Sequence, residues 1–365
     1  MFFLSLGLGG LFLVIVHHLF DASWSIPTRR VCEHLSCLLF PTMGVLFLPL
    51  AVLAPKIYPW MGSVLQANPD HALRSKMPLF TIPGYYISAA ACFISWWLVS
   101  SGLRKWSLKQ DVAQDEKGTV ECTRKMRRYA AFGVFLFGFS LTMAAIMWMK
   151  ALTHEWFSTM YGVCYFASSV WTTLATVWVI TAILQRNTAL RGVVKEKTYY
   201  MIGSLLFAFT VFYAYVTFAQ YFIIWNANMP EETFWFNLRE RGTWWDVGMI
   251  IIFGHFFVPF LALLRIDLKL KLWWMIPLVA WVWLMQFWDM EYQIMPTLHA
   301  DGVTAGSLLA DVACLMFIGG VLTKVFLKSL SSHPLFPQRD PRIAEAMDVY
   351  VPPAIPVSTA PEHAK

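Results

Sequence analysis

The chain reads as an all-α polytopic membrane protein, on three observations. Of its 365 residues 58% are hydrophobic and only 14% are charged, against about a quarter charged in soluble domains. Its mean hydropathy is +0.55. Its uncharged apolar runs reach about 20 residues, the length a helix needs to cross about 30 Å of hydrocarbon.

Nine spans are predicted in order, at roughly 1–20, 31–54, 80–102, 129–149, 157–184, 199–225, 245–264, 272–289 and 306–328. The first starts at Met1 with no basic n-region and no small-residue cleavage site, so it reads as a retained span and not a signal peptide. The second begins beside Arg29, Arg30, Glu33 and His34. Glu33 lies one turn from both arginines, which reads as an ion pair on one helix face or as the inner mouth of a polar path. Pro83 falls at the start of the third span and Pro277 inside the eighth. The sixth ends near Trp225, and "NANMPEETFWFNLRERG" leads to the seventh. Pro230 suits a first helical position, and Glu231 and Glu232 after it suit a helix N-terminus. With Arg239 and Arg241 they are also candidates for docking a partner. The seventh span carries His255, and Pro259 one turn later frees the His255 carbonyl. Asp246 and Asp289 stand at the ends of spans seven and eight, and Glu291, Tyr292, His299 and Asp301 crowd the loop expected after the eighth. Asp311 lies within the ninth. Residues 331–365 read as a cytoplasmic Pro-rich tail, whose last stretch "VPPAIPVSTAPEHAK" is expected to be extended and mobile.

Basic residues alternate between the loops. Those after odd-numbered spans, with the tail and the adjoining end of the ninth span, hold 22 Lys and Arg, and the others hold 6. The positive-inside rule places the N-terminus outside and the C-terminus in the cytoplasm. A net charge of +6 therefore describes topology and implies no nucleic-acid partner.

The six cysteines form no CxxC or CxxCH. They read as small buried hydrophobes, and no iron–sulfur, zinc-knuckle or covalent haem motif is visible. Only His17, His18, His34 and His255 lie in or beside spans, and no helix pairs two of them at haem spacing. His17 and His18 read as interfacial. Ionisable groups are costly in a bilayer and mark ion or proton pathways when they face the bundle interior. Glu33, His34, Asp246, His255, Asp289 and Asp311 are the candidates for such a path, with half-paths meeting near His255. The bland alternatives are a core histidine bonded to a carbonyl and interfacial carboxylates.

Several strings carry a resemblance across nearly the whole chain: "DASWSIPTRRVCEHL", "HEWFSTMYGVCYFASS", "FAQYFIIWNANMPEETFWFNLRERGTWW", "GHFFVPFLALLRIDLK", "FWDMEYQIMP" and "HPLFPQRDPRIAEA". In this order they resemble the F subunit of alternative complex III, a bacterial quinol-oxidising respiratory complex. Where that family often has an acidic string before "WFSTMYG", this chain has "IMWMKALTHE", with Lys150, His154 and Glu155. The resemblance implies the polysulfide-reductase membrane-anchor (NrfD-like) fold. In that fold spans 2–5 (residues 31–198) and 6–9 (residues 199–330) form two four-helix bundles, with the first span and its loop (1–30) peripheral. It implies a bacterial inner-membrane subunit with no redox cofactor of its own. Haem c and iron–sulfur clusters would sit in partner subunits, and menaquinol or ubiquinol would be the complex's substrate. The partners implied are the C-subunit paralogue, multihaem cytochrome and iron–sulfur subunits, lipids and a terminal oxidase. Two readings stay open: a non-catalytic subunit that conducts protons, and a subunit that binds quinol directly.

Overall fold

The computed structural model describes residues 1–300, 302–347 and 349, with backbone only for Asn187 and Ala189. Asp301, Asp348 and residues 350–365 of the tail fall outside the described residues. The long helices are α1 (Phe2–Phe20), α2 (Ile26–Cys37), α3 (Gly44–Ile57), α4 (Ile82–Asp111), α5 (Glu116–Trp148), α6 (Tyr161–Asn187) and α7 (Glu196–Ala227). They continue with α8 (Pro230–Arg239), α9 (Thr243–Ile250), α10 (Val258–Leu264), α11 (Leu272–Leu298) and α12 (Ala305–Ser331). Among the described residues there is no strand. Eight helical segments are long and apolar enough to cross a bilayer. To these α11 adds a further 27-residue helix, whose five tryptophans, Asp289 and Glu291 lower its hydropathy.

Two spans are broken, each for a local reason. Between α2 and α3 the chain widens at Leu39–Met43, where Phe40 is extended (φ −148°, ψ 138°). Phe40 precedes Pro41, and the proline ring disfavours helical backbone at the residue before it. Between α9 and α10 a wide π turn covers Ile251–Phe257. Pro259, just beyond it, cannot donate to the carbonyl one turn back.

The first helix, expected at the periphery, is central: 72% of its span is buried, as much as for α6. It packs between α2, α5 and α6. The reason is its glycines. A Cβ on Gly9 would lie 2.1 Å from Thr173 Oγ1 of α6, and one on Gly10 would lie 3.1 Å from the Cys32 carbonyl of α2. Small residues let helix backbones approach where lipid offers no hydrophobic drive for association. The helix at the edge is α12, only 6% buried, which rests mainly on α2.

The loops gather on two faces. The connections near Asp21, Asp111 and Ala113 join the segment 338–345 on one, here the basic face. On the opposite face Lys76 bonds the His154 carbonyl, and Trp156 donates to Glu232 O at 3.1 Å.

Candidate functional site

On the basic face, Glu33 is clamped. Arg29 Nε lies 3.3 Å from Oε1, Arg30 3.0 Å from Oε2, and Ser107 donates to Oε1 at 2.6 Å. Arg29 also pairs with Asp340 at 2.5 Å, and Arg30 pairs with Asp111. All four groups on α2 and the C-terminal segment, Arg29, Arg30, Glu33 and Asp340, are buried. A buried charge is tolerable only when paired and hydrogen-bonded, and here each has both. The helical spacing of Arg29, Arg30 and Glu33 delivers the ion pair read from sequence. His17 and His18 are buried as well, so neither sits at an open interface. His17 Nδ1 contacts Ser25 Oγ at 2.6 Å, and its Nε2 contacts Arg29 at 3.2 Å. His34 turns towards α12, with Nδ1 2.8 Å from Ser329 Oγ.

The interior holds a second cluster. His255, on the wide turn, is fully buried. Its ring is stacked between Trp171 of α6 and Tyr213 of α7, each with centroids 3.9 Å away. Tyr213 donates its hydroxyl to Asp289 Oδ1 of α11 at 2.7 Å. Asp289 faces a small space lined by Tyr161, Cys164, Tyr165 and Gln293. Thus α6, α7, α11 and the wide turn between α9 and α10 converge on one imidazole–phenol–carboxylate series. Neither ring nitrogen of His255 has a protein partner, nor does either polar atom of the buried Gln286 side chain. Where a freed His255 carbonyl was expected, the carbonyl met by a side chain from another helix is that of Gly254. Trp281 donates to Gly254 O at 2.8 Å, one residue before His255.

Along α6 runs a buried file of hydroxyls: Ser168, Ser169, Thr172, Thr173 and Thr176. Each donates to a carbonyl of its own helix, as Thr172 does to Ser168 O at 2.9 Å and Thr176 to Thr172 O at 2.8 Å. Their lone pairs remain for other donors, and Trp283 of α11 uses that of Thr176 at 2.9 Å. Tyr213, Trp171 and this file were not singled out from sequence. The signal was present as the "ASSVWTT" spacing, which puts hydroxyls four residues apart on one face.

Asp311 does not join His255. It lines a cavity of about 480 Å³ between α1, α3, α11 and α12, together with Glu291 and the aromatic rings of Phe47, Phe93, Trp148 and Phe287. Glu291 and Asp289 are two residues apart on α11, hence on opposite sides of it. The helix therefore stands between the two carboxylate environments, and the expected meeting of Asp311 with His255 is corrected. Asp246 is exposed in the first turn of α9, where a carboxylate suits the helix dipole. It contacts no member of the series.

The charged connection is divided too. Glu231 and Glu232 stand in the first turn of α8, and Arg241 is exposed. Arg239, expected to face a partner, is buried and serves the fold. Its guanidinium lies 3.4 Å over the Trp235 ring and donates to Tyr292 O at 3.0 Å and Gln293 O at 2.8 Å. Pro296 removes the N–H that would have met Tyr292 O. Arg239 replaces it, so α11 continues to Leu298 instead of ending near 289. Glu291 and Tyr292, expected in a loop, are therefore helical. Burial pushes the Arg239 guanidinium pKa below its ordinary value, and the group stays charged.

No family model matches the chain, and no curated protein matches it.

Proposed function

We propose that the chain is a multi-pass membrane subunit of a quinol-oxidising complex of the alternative complex III kind, and that it moves protons without carrying a redox group. The observation that supports this most is the series His255–Tyr213–Asp289, buried where α6, α7, α11 and the wide turn between α9 and α10 meet. Imidazole, phenol and carboxylate are the groups that pass protons in membrane interiors. Buried polar atoms without protein partners are places for ordered water. His255 and Gln286 supply such atoms. From Asp289 the path leaves past Tyr161, Cys164 and Gln293 towards the face of α8. Towards the basic face it follows the hydroxyl file of α6. Asp311 has no place in this path, and Glu33 is held as a structural ion pair.

In this reading the basic face is cytoplasmic and the membrane is a bacterial inner membrane. The complex supplies haem c and iron–sulfur subunits as partners. The test is His255→Leu or Asp289→Asn in the assembled complex. Proton release per electron should fall while quinol oxidation continues. Unchanged proton release in both variants would end the proposal.

A second reading, direct quinol binding by this subunit, draws on the cavity that holds Glu291 and Asp311. Its aromatic walls and paired acceptors suit a hydroxylated ring. Loss of quinol oxidation in Glu291→Gln and Asp311→Asn, with proton release per remaining electron unchanged, would favour it.

A further inference from the structure

We propose that Asp70, His154 and Glu155 form a zinc-binding site on the face opposite the basic one, joining the connection between α3 and α4 to that between α5 and α6. One donor atom from each of the three residues lies within 4.8 Å of the other two. His154 Nε2 is 2.9 Å from Asp70 Oδ2. Two ligands of a tetrahedral zinc ion with bonds of about 2.0 Å stand about 3.3 Å apart. The pair is therefore a few tenths of an ångström from ligand spacing, and Glu155 is free to close as the third donor.

The supporting contacts are those a metal site needs. Asp70 caps the short helix His71–Ser75, and its Oδ1 accepts Leu73 N–H at 2.6 Å. That bond orients the carboxylate and leaves Oδ2 for His154 or an ion, as an outer-shell partner does. His154 is buried and its carbonyl is held by Lys76. Lys76 also donates to Trp156 O at 3.3 Å. Among the described residues no lysine or arginine lies within 4.0 Å of either carboxylate. The imidazole selects zinc over calcium or magnesium, which prefer oxygen ligands alone. A bound ion would add to the tie that Lys76 already makes between the two connections, beside Trp156 and its stack on Trp235 at 4.4 Å.

The experiment uses the purified full chain in detergent, with any affinity tag removed. Zinc chloride is titrated calorimetrically, and Co²⁺ serves as an optical probe. One zinc per chain should bind, and Co²⁺ should give a tetrahedral ligand-field band. His154→Gln should abolish both. Glu155→Gln should weaken zinc about tenfold or more. Glu155 is exposed and makes no hydrogen bond, so this variant leaves the fold intact. His71→Ala, on the neighbouring short helix, should bind as the unchanged chain does. Absence of stoichiometric zinc in the unchanged chain overturns the proposal, as does unaltered affinity in Glu155→Gln.

Discussion

Replacing Tyr213 with Phe separates what holds the interior together from what would move a proton through it. The ring stays, so the stack on His255 at 3.9 Å stays. Only the hydroxyl that donates to Asp289 at 2.7 Å is lost. Tyr213 and Asp289 are both buried, at 3% and 2% exposure, so water from outside does not replace the bond. A hydrogen bond to a charged acceptor is worth about 1.5–3 kcal/mol, and one between neutral groups about 0.5–1.5. Tyr213→Phe should therefore lower stability by about 1–3 kcal/mol. In a chain of this size that is a melting-temperature fall of a few degrees, read by tryptophan fluorescence in detergent. Asp289→Asn keeps an acceptor for Tyr213 and should cost less. In the assembled complex both variants should release fewer protons per electron, because each removes one member of the series. If Tyr213→Phe lost stability while proton release stayed at the level of the unchanged complex, the hydroxyl would be a structural tie only and the relay reasoning would be refuted.

Arg239→Ala leaves the Tyr292 carbonyl, which Pro296 cannot meet, without a donor and should cost about 1–3 kcal/mol for that unsatisfied group. Hydrogen exchange should show α11 fraying back from Leu298 towards Tyr292, and protection equal to that of the unchanged chain would refute the strut. Lys150 is buried, and burial lowers its pKa from 10.5 to about 8. The unfolded chain thus holds a proton between about pH 8 and 10.5 that the folded chain does not, so stability rises with pH across that window. Lys150→Met should stabilise by up to about 3 kcal/mol at pH 7, and the gain should shrink above pH 8; a gain that does not change with pH contradicts the linkage. Glu231→Gln with Glu232→Gln should change the isolated chain by less than about 1 kcal/mol, yet weaken assembly with partner subunits; full assembly removes the docking role. Cysteine labelling from outside the cell should reach residues 226–243 and miss 104–128, and the reverse pattern would invert the topology.

Membership of a membrane-spanning helical class was legible because bilayer thickness sets a length and a composition that no soluble helix shares. The positions of the helices were legible for the same reason. So was the pairing of Arg29 and Arg30 with Glu33, since neighbours three and four apart on a helix meet whatever surrounds them. The disturbance at Pro259 was legible because a missing N–H acts locally, whereas the break at Phe40–Pro41 was not read from the sequence. Tertiary structure decided which side of each helix is inside. In a soluble protein an apolar stripe answers that question, but lipid and protein interior are both apolar, so α1 and α12 look alike as sequences. Packing makes one central, through Gly9 and Gly10, and leaves the other at the edge. The same ambiguity hid the roles of the carboxylates. Asp289 and Glu291 are two residues apart, and only the neighbours of α11 determine that one meets Tyr213 while the other meets the cavity with Asp311. Arg239 was equally illegible, because the carbonyls it satisfies lie more than fifty residues away on a helix that Pro296 would otherwise have weakened.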